Sequence, residues 1–187
     1  MKKFSFKEIA VPAITLFLIA AICTAILAVT NGVTAPKIAE NNEQAEIATR
    51  QLVFADAKSF SDVKAAEDGT YVEALDENGK VIGYVFTTSD KGYGGEIKIM
   101  TGINADGDVT GMEILSIEET AGLGMNAKKD DFRNQYVDNS GEFTVVKSDA
   151  GENEIQALTG ATITSQAVTD AVNTAVDNFK TVTGGDK

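Results

Sequence analysis

The sequence predicts an α+β protein: a mainly antiparallel sheet flanked by helices, standing behind one N-terminal apolar helix that can span a membrane. Three observations carry this. A charge-free apolar run lies near the start, two adjacent stretches alternate with the period of β-hairpins, and helical periodicity brackets those stretches on both sides.

The apolar run, IAVPAITLFLIAAICTAILAV, covers residues 9–29, and no charge follows it before Lys37. At about 1.5 Å per residue it reaches roughly 30 Å, the thickness of the hydrocarbon layer. Pro12 is expected in the first turn, where its missing N–H costs least. A cleaved signal peptide has a shorter apolar region and a small-x-small site. The best such site, Val33-Thr34-Ala35, is followed by Pro36, which disfavours cleavage. Lipid attachment at Cys23 is disfavoured by the bulky Ile22 before it and by the apolar run continuing past it. Cys23 instead reads as a small packing residue. The expectation is an uncleaved anchor over 9–30. Lys2, Lys3 and Lys7 keep residues 1–8 in the cytoplasm, which puts residues 31–187 outside the cell membrane.

The remaining elements follow in order. Residues 37–55 show near-helical spacing of Ile38, Ala45, Ala48, Leu52 and Val53, as in a helix rising from the membrane. TYVEALDE and VIGYVFTT, joined at Asn78-Gly79, read as a hairpin. A glycine-rich loop, KGYGG, occupies 91–95. EIKIMTGI and VTGMEILSI form a second hairpin around 105–108, followed by the loop EETAGLG at 118–124. Residues 126–136 are expected to be helical and FTVVK at 143–147 a short strand. A last helix over 164–179 places Ala167, Val168, Ala171, Val172, Ala175, Val176 and Phe179 along one side, and TGGDK is a frayed tail. Two hairpins that each end in a glycine loop bring backbone groups to a common sheet edge, where a ligand can be gripped.

Composition narrows the chemistry. Residues 1–36 hold three lysines against one glutamate, so all of the net charge of −12, and slightly more, belongs to the rest. Phosphates repel such a domain, which sets nucleic acid aside as a partner. There is no histidine, which removes the commonest acid–base residue, the usual haem ligand and most zinc sites, and one cysteine cannot hold an iron–sulfur cluster. No metal site is expected and no stand-alone catalytic residue emerges. If this protein moves electrons, it needs an organic cofactor or a partner's metal.

The sharpest feature is LTGATITS at 158–165, directly before the last helix. Four hydroxyls, a small-residue turn and a helix N-terminus with free N–H groups can together receive a phosphate. The bland alternative is an ordinary Ser/Thr helix cap, although no Glu or Gln stands three residues after Thr162 or Thr164 to complete a capping box.

TGATITSQAV resembles the flavinylation motif of FMN-binding domains, as found in the Rnf electron-transport complex and the sodium-translocating NADH:quinone reductase. Two further stretches resemble that family in the same order: GYGGEIKIMTGI, and IEETAGLG, which is similar to its Glu-Thr-Pro-Gly-Leu-Gly loop. The resemblance implies that Thr162 carries FMN through a phosphodiester, with Thr159, Gly160, Ala161 and Thr164 around it. It implies that Glu119, Thr120, Gly122, Leu123 and Gly124 line the ring pocket, and Tyr93 is a further candidate. Gln156 stands where many members have aspartate, and Ala121 where proline is usual. The compact length resembles that of the Rnf family's G-type chains more than that of the longer quinone-reductase chains.

The resemblance therefore implies a covalent-FMN electron carrier in an ion-translocating redox complex that links ferredoxin:NAD+ electron transfer to sodium or proton movement. Its partners would be the other subunits, including a second flavin-bearing membrane subunit, a flavin transferase for maturation, and the lipid bilayer. A flavin subunit of an exported reductase, or a cofactor-free anchored envelope module, are the other readings. The second of these predicts a Thr162 that does no more than cap a helix.

Overall fold

A computed structural model describes residues 6–185. The chain divides into two compact units, one up to Ala45 and one from Glu46 onward.

In the first unit the backbone is one helix, α1 (Phe6–Val53), which also supplies the start of the second. Its stretch Ala10–Ile38 has a mean hydropathy of 2.5 and nothing buries it, and among the described residues it is the one helix long and apolar enough to cross a membrane. Because α1 starts at Phe6, Pro12 lies beyond the first turn, contrary to expectation, and Pro36 is also inside the helix. The helix expected over 37–55 is the continuation of α1, ending at Val53 as Phe54 N–H closes back on Arg50 O at 3.0 Å.

In the second unit the sheet runs β1 (Ser59–Phe60), β2 (Lys64–Ala65), β3 (Thr70–Leu75), β4 (Val81–Lys91), β5 (Glu96–Asn104) and β6 (Val109–Ser116). The strands are ordered β1-β3-β4-β5-β6, with β2 also on β3, and every pair is antiparallel. The two predicted hairpins are therefore parts of one meander. The loop at 92–95, read as a connection between hairpins, is itself the tip of a hairpin between β4 and β5, closed by Gly92 N–H to Gly95 O at 2.8 Å.

The β3–β4 turn is wider than a two-residue Asn-Gly turn. Gly79 N–H bonds Asp76 O at 3.1 Å and Asp76 N–H bonds Lys80 O at 2.9 Å, with Gly79 at φ +75°. The Asp76 carboxylate accepts the N–H groups of Asn78 (2.8 Å) and Lys80 (2.9 Å). These bonds, Lys80's first, hold its carboxyl below the usual carboxylate range. The β5–β6 turn repeats the device with a neutral side chain: Asn104 Oδ1 accepts Asp106 N–H (2.9 Å) and Asp108 N–H (3.0 Å), and Gly107 has φ +99°. An oxygen at the first turn position is the shared requirement, which Asp and Asn both meet.

Both faces of the sheet are covered. On one, Phe86, Ile97, Ile99, Ile103, Met112 and Ile114 meet the predicted apolar side of the last helix. On the other, Val72, Ala74, Val85 and Met100 meet Val53, Phe54 and Ala57.

The segment 126–136 is not one helix. It is a 3₁₀ turn at Gly124–Lys128 and a single helical turn, α2 (Asp130–Arg133), separated by extended Lys129 (φ −76°, ψ 145°). Ala127 and Phe132 are both buried, and a spacing of five cannot place both on one face of a continuous helix. The strand expected at 143–147 is β7 (Thr144–Val146). It pairs in parallel with β8 (Glu154–Gln156), which sequence patterning missed because its one apolar residue, Ile155, sets no alternating period. The last helix, α3 (Thr162–Thr183), starts two residues before the predicted 164 and outlasts Phe179. It ends at Gly184, whose φ of +89° suits a residue without Cβ. The end of the expected frayed tail, 186–187, lies outside the described residues.

Candidate functional site

Two β-turns of the same shape build the site. In 120–123, Leu123 N–H bonds Thr120 O at 3.1 Å with Gly122 at φ +77°. In 158–161, Ala161 N–H bonds Leu158 O at 2.9 Å with Gly160 also at φ +77°. Glycine at the third position is what a positive φ there demands. The turns face each other, since a Cβ on Gly160 would stand 3.2 Å from Leu123 Cδ2. Ala121, where proline is usual in the resembled family, occupies the second position and leaves the turn closed.

The tip of the β4–β5 hairpin is drawn in by Glu119. Its Oε1 accepts Tyr93 N–H at 2.7 Å and Gly94 N–H at 3.2 Å. A Cβ on Gly92 would collide with that carboxylate, and one on Gly94 with Glu118 O. A Cβ on Gly124 would lie 2.7 Å from Thr164 Oγ1 and 2.8 Å from Glu119 Oε2. The glycines let three backbone segments close around one carboxylate.

Between these segments lies a cleft of about 510 Å³, lined by Tyr93, Glu119, Thr120, Leu123, Gly124 and the run from Gly160 to Thr164. Nine of the sequence-predicted site residues thus come together: Tyr93, Glu119, Thr120, Leu123, Gly124, Gly160, Ala161, Thr162 and Thr164. Thr159 and Gly122 belong to the two turns but do not line the cleft. Ile163 lines it and was not foreseen, because the hydroxyls on either side of it are the louder signal in the sequence.

Thr162 is the first residue of α3, and the capping position belongs to Ala161, which makes no side-chain cap bond. The structure therefore removes the helix-cap explanation of Thr162. Its side chain is exposed, and its hydroxyl bonds nothing among the described residues. Thr164, 1 % exposed, lines the cleft beside it. The N–H groups of Thr162, Ile163 and Thr164 have no protein acceptor among the described residues, while Ser165 N–H bonds Ala161 O at 3.0 Å. No acidic residue in the first turn offsets the positive end of this 22-residue helix.

Around the cleft, Tyr93, Leu123 and Ile163 expose 74 %, 42 % and 58 % of their surface. Exposed apolar side chains converging on one cavity mark a ligand surface. Uncapped N–H groups beside them suit a phosphate, and the volume is within the roughly 300–1,000 Å³ of small-molecule sites. The residues present therefore fit a flat, apolar-faced molecule that ends in a phosphate.

Residues 92–177 match the FMN-binding domain family, and residues 1–53 match the RnfG N-terminal region. The G subunit of the proton-translocating ferredoxin:NAD+ oxidoreductase complex of Clostridium ljungdahlii is 40% identical over 161 residues, covering 86% of this chain and 85% of that one. Its Na+-translocating counterpart from Acetobacterium woodii is 39% identical over 184 residues, covering 88% of each. Among solved structures, the C subunit of the Na+-translocating NADH-quinone reductase of Parabacteroides distasonis shares the fold, with a TM-score of 0.52 and 21% identity over 63% of this chain and 65% of that one. An anchor-type apolar helix, an FMN-binding domain and likeness over more than four fifths of each of these two G-subunit relatives agree: the chain belongs to the G subunits of the Rnf-type ion-translocating ferredoxin:NAD+ oxidoreductase complexes.

Proposed function

We propose that this chain is the electron-carrying subunit of such a complex and holds its FMN covalently, through a phosphodiester between Thr162 Oγ and the FMN phosphate. The observation that carries the reading is the Thr162 hydroxyl: exposed, unbonded, and set at the first residue of α3 beside free N–H groups. Attachment requires a flavin donor whose FMN phosphate is joined to a leaving group through a phosphoanhydride. The Thr162 Oγ–P bond forms as that P–O bond breaks, the leaving phosphate departs and the hydroxyl proton is released, so the chain gains FMN less one water. When bound, FMN supplies exchange of one or two electrons, which lets it link one- and two-electron partners.

The chain's own residues bind and orient. The N–H groups of Thr162, Ile163 and Thr164 receive phosphate oxygens and complement their charge. Leu123, Ile163 and Tyr93 offer apolar surface to a ring system. Glu119 keeps the Tyr93 loop against the 120–124 loop. No residue in the cleft is arranged as nucleophile with base and orienter, which suits an electron carrier rather than an enzyme that turns over a bound substrate.

We place the membrane anchor within 9–30 and the FMN domain on the outer side, on the strength of Lys2, Lys3 and Lys7. The apolar run carries no charge, so the ion path belongs to other subunits. Relatives of 40% and 39% identity named for protons and for Na+ agree with that division of labour. Electrons then pass between this FMN and other subunits, among them a second flavin-bearing membrane subunit, and a flavin transferase matures the chain.

The test is the intact mass of the full-length chain in detergent, produced with a working flavin transferase, for wild type and Thr162→Ala. Wild type is expected to gain one FMN less water and to fluoresce on a denaturing gel. Thr162→Ala is expected to stay unmodified while losing no more than about 0.5 kcal/mol, since the residue is exposed and caps nothing. A folded Thr162→Ala chain that still carries covalent FMN overturns the attachment site.

A further inference from the structure

Ser165 closes the LTGATITS stretch and is wholly buried. Its Oγ accepts the N–H of Leu158 at 2.9 Å and its O–H donates to Ala161 O at 3.0 Å. The second bond alone is the common back-bond of serine to the carbonyl four residues earlier in a helix. The first is not. It crosses the turn and ties the residue before Thr159 to the first turn of α3.

With Ala161 N–H on Leu158 O and Ser165 N–H on Ala161 O, the four bonds close a ring around 158–161. From below, Thr169 donates its hydroxyl to Ser165 O at 2.9 Å, and Thr169 Oγ1 lies 2.8 Å from the Tyr136 hydroxyl. Tyr136 is wholly buried, with its ring against Phe132 and Phe143. The small motif turn is thus anchored to the core through Ser165, while Thr162 is left free at its outer edge.

We propose that Ser165 is a positioning residue for flavin attachment: its hydroxyl holds the turn at 158–161 against α3, so that Thr162 Oγ and the free N–H groups are presented together. The proposal rests on the reading of Thr162 as the attachment site. A turn that opens lets Gly160 and Ala161 move into the path of the incoming phosphate group and frees Thr162 to turn away from the cleft. Losing one buried bond while orphaning the Leu158 N–H is enough to slow a geometry-dependent transfer by roughly tenfold.

The experiment follows the rate of FMN attachment to full-length chain by intact mass, with one flavin transferase, for wild type, Ser165→Ala, Ser165→Thr and Gly102→Ala. Gly102 lies on the sheet face away from α3 and serves as a destabilised control. All chains are incubated well below their Tm. Expected is a roughly tenfold slower attachment in Ser165→Ala, faster exchange of the Leu158 amide, recovery toward the wild-type rate in Ser165→Thr, and a wild-type rate in Gly102→Ala. A Ser165→Ala chain modified at the wild-type rate overturns the proposal and leaves the Thr162 reading standing. So does a folded Ser165→Thr chain that attaches FMN about tenfold or more slowly, which keeps the proposal open to refutation even if Ser165→Ala does not fold. Equal slowing in Gly102→Ala also overturns it, by assigning the effect to general loss of stability. An unmodified wild type overturns the Thr162 reading and this proposal together.

Discussion

Thr88 and Thr101 are both wholly buried in the sheet, with opposite outcomes. Thr88 donates its hydroxyl to Ala171 O in α3 at 2.7 Å. Thr101, between Ile99 and Ile103 on the face toward α3, has no partner for its Oγ1. A buried hydroxyl without a partner costs about 1–3 kcal/mol, and an apolar group of the same shape removes that cost. Thr101→Val is expected to raise unfolding stability by about 1 kcal/mol in denaturant titrations; a fall instead would mean that the hydroxyl is satisfied after all. The site residues divide in the same way between what is local and what is not. Thr162 was legible as a candidate through the resemblance of TGATITSQAV to the flavinylation motif, since the residues alone also suited an ordinary helix cap. Glu119 was legible as a site residue but not as the clamp on the Tyr93 and Gly94 amides, because that bond joins residues 26 and 25 apart. Ser165 was hidden by resembling an ordinary helix serine.

At the scale of elements, the end of α1 in the second unit seats on glycine. Gly102 and Gly111 are register partners on β5 and β6. A Cβ on Gly102 would collide with Val53 O, and one on Gly111 would lie 2.9 Å from Val53 Cα. On β4, a Cβ on Gly83 would run into the Phe54 ring. Thr110 donates its hydroxyl to Val53 O at 2.6 Å, satisfying a carbonyl that the helix itself leaves free. Gly102→Ala is expected to destabilise the second unit by about 1–3 kcal/mol, read as a lower Tm, because backbone rather than a flexible side chain must yield. An unchanged Tm would show that the helix end slides without cost. The strands bearing these glycines were predicted from alternation alone. Why glycine recurs in them is visible only once the helix end lies across the sheet.

At the scale of the whole molecule, charge is segregated. Lys2, Lys3 and Lys7 precede the apolar run, and the acidic residues lie almost entirely after it. Insertion is therefore expected to retain the N-terminus inside and to export the FMN domain. A Glu142→Cys substitution in a Cys23→Ser background places one thiol on the domain's surface, at a side chain that takes part in none of the site's contacts. A membrane-impermeant maleimide is expected to label it in intact cells. Labelling only after permeabilisation would put the domain in the cytoplasm and reverse the assignment.

By itself the sequence determined the apolar span, the antiparallel strands and the amphipathic face of α3, and through a motif resemblance it marked the threonine on which the proposed function turns. These are local properties: run length, a period of two or 3.6, and a short motif beside a helix start. The tertiary structure alone decided that the two hairpins form one meander, that 126–136 breaks at Lys129, and that β8 pairs with β7. It also decided that the loops at 92–95, 118–124 and 158–164 close on one cleft. Each of those depends on contacts between residues far apart in the chain, where the free energy comes from burial and from bonds that no local pattern encodes. Thr162 was therefore readable as a candidate, but only packing could show its hydroxyl free, uncapped and lining the cleft where a phosphate would fit.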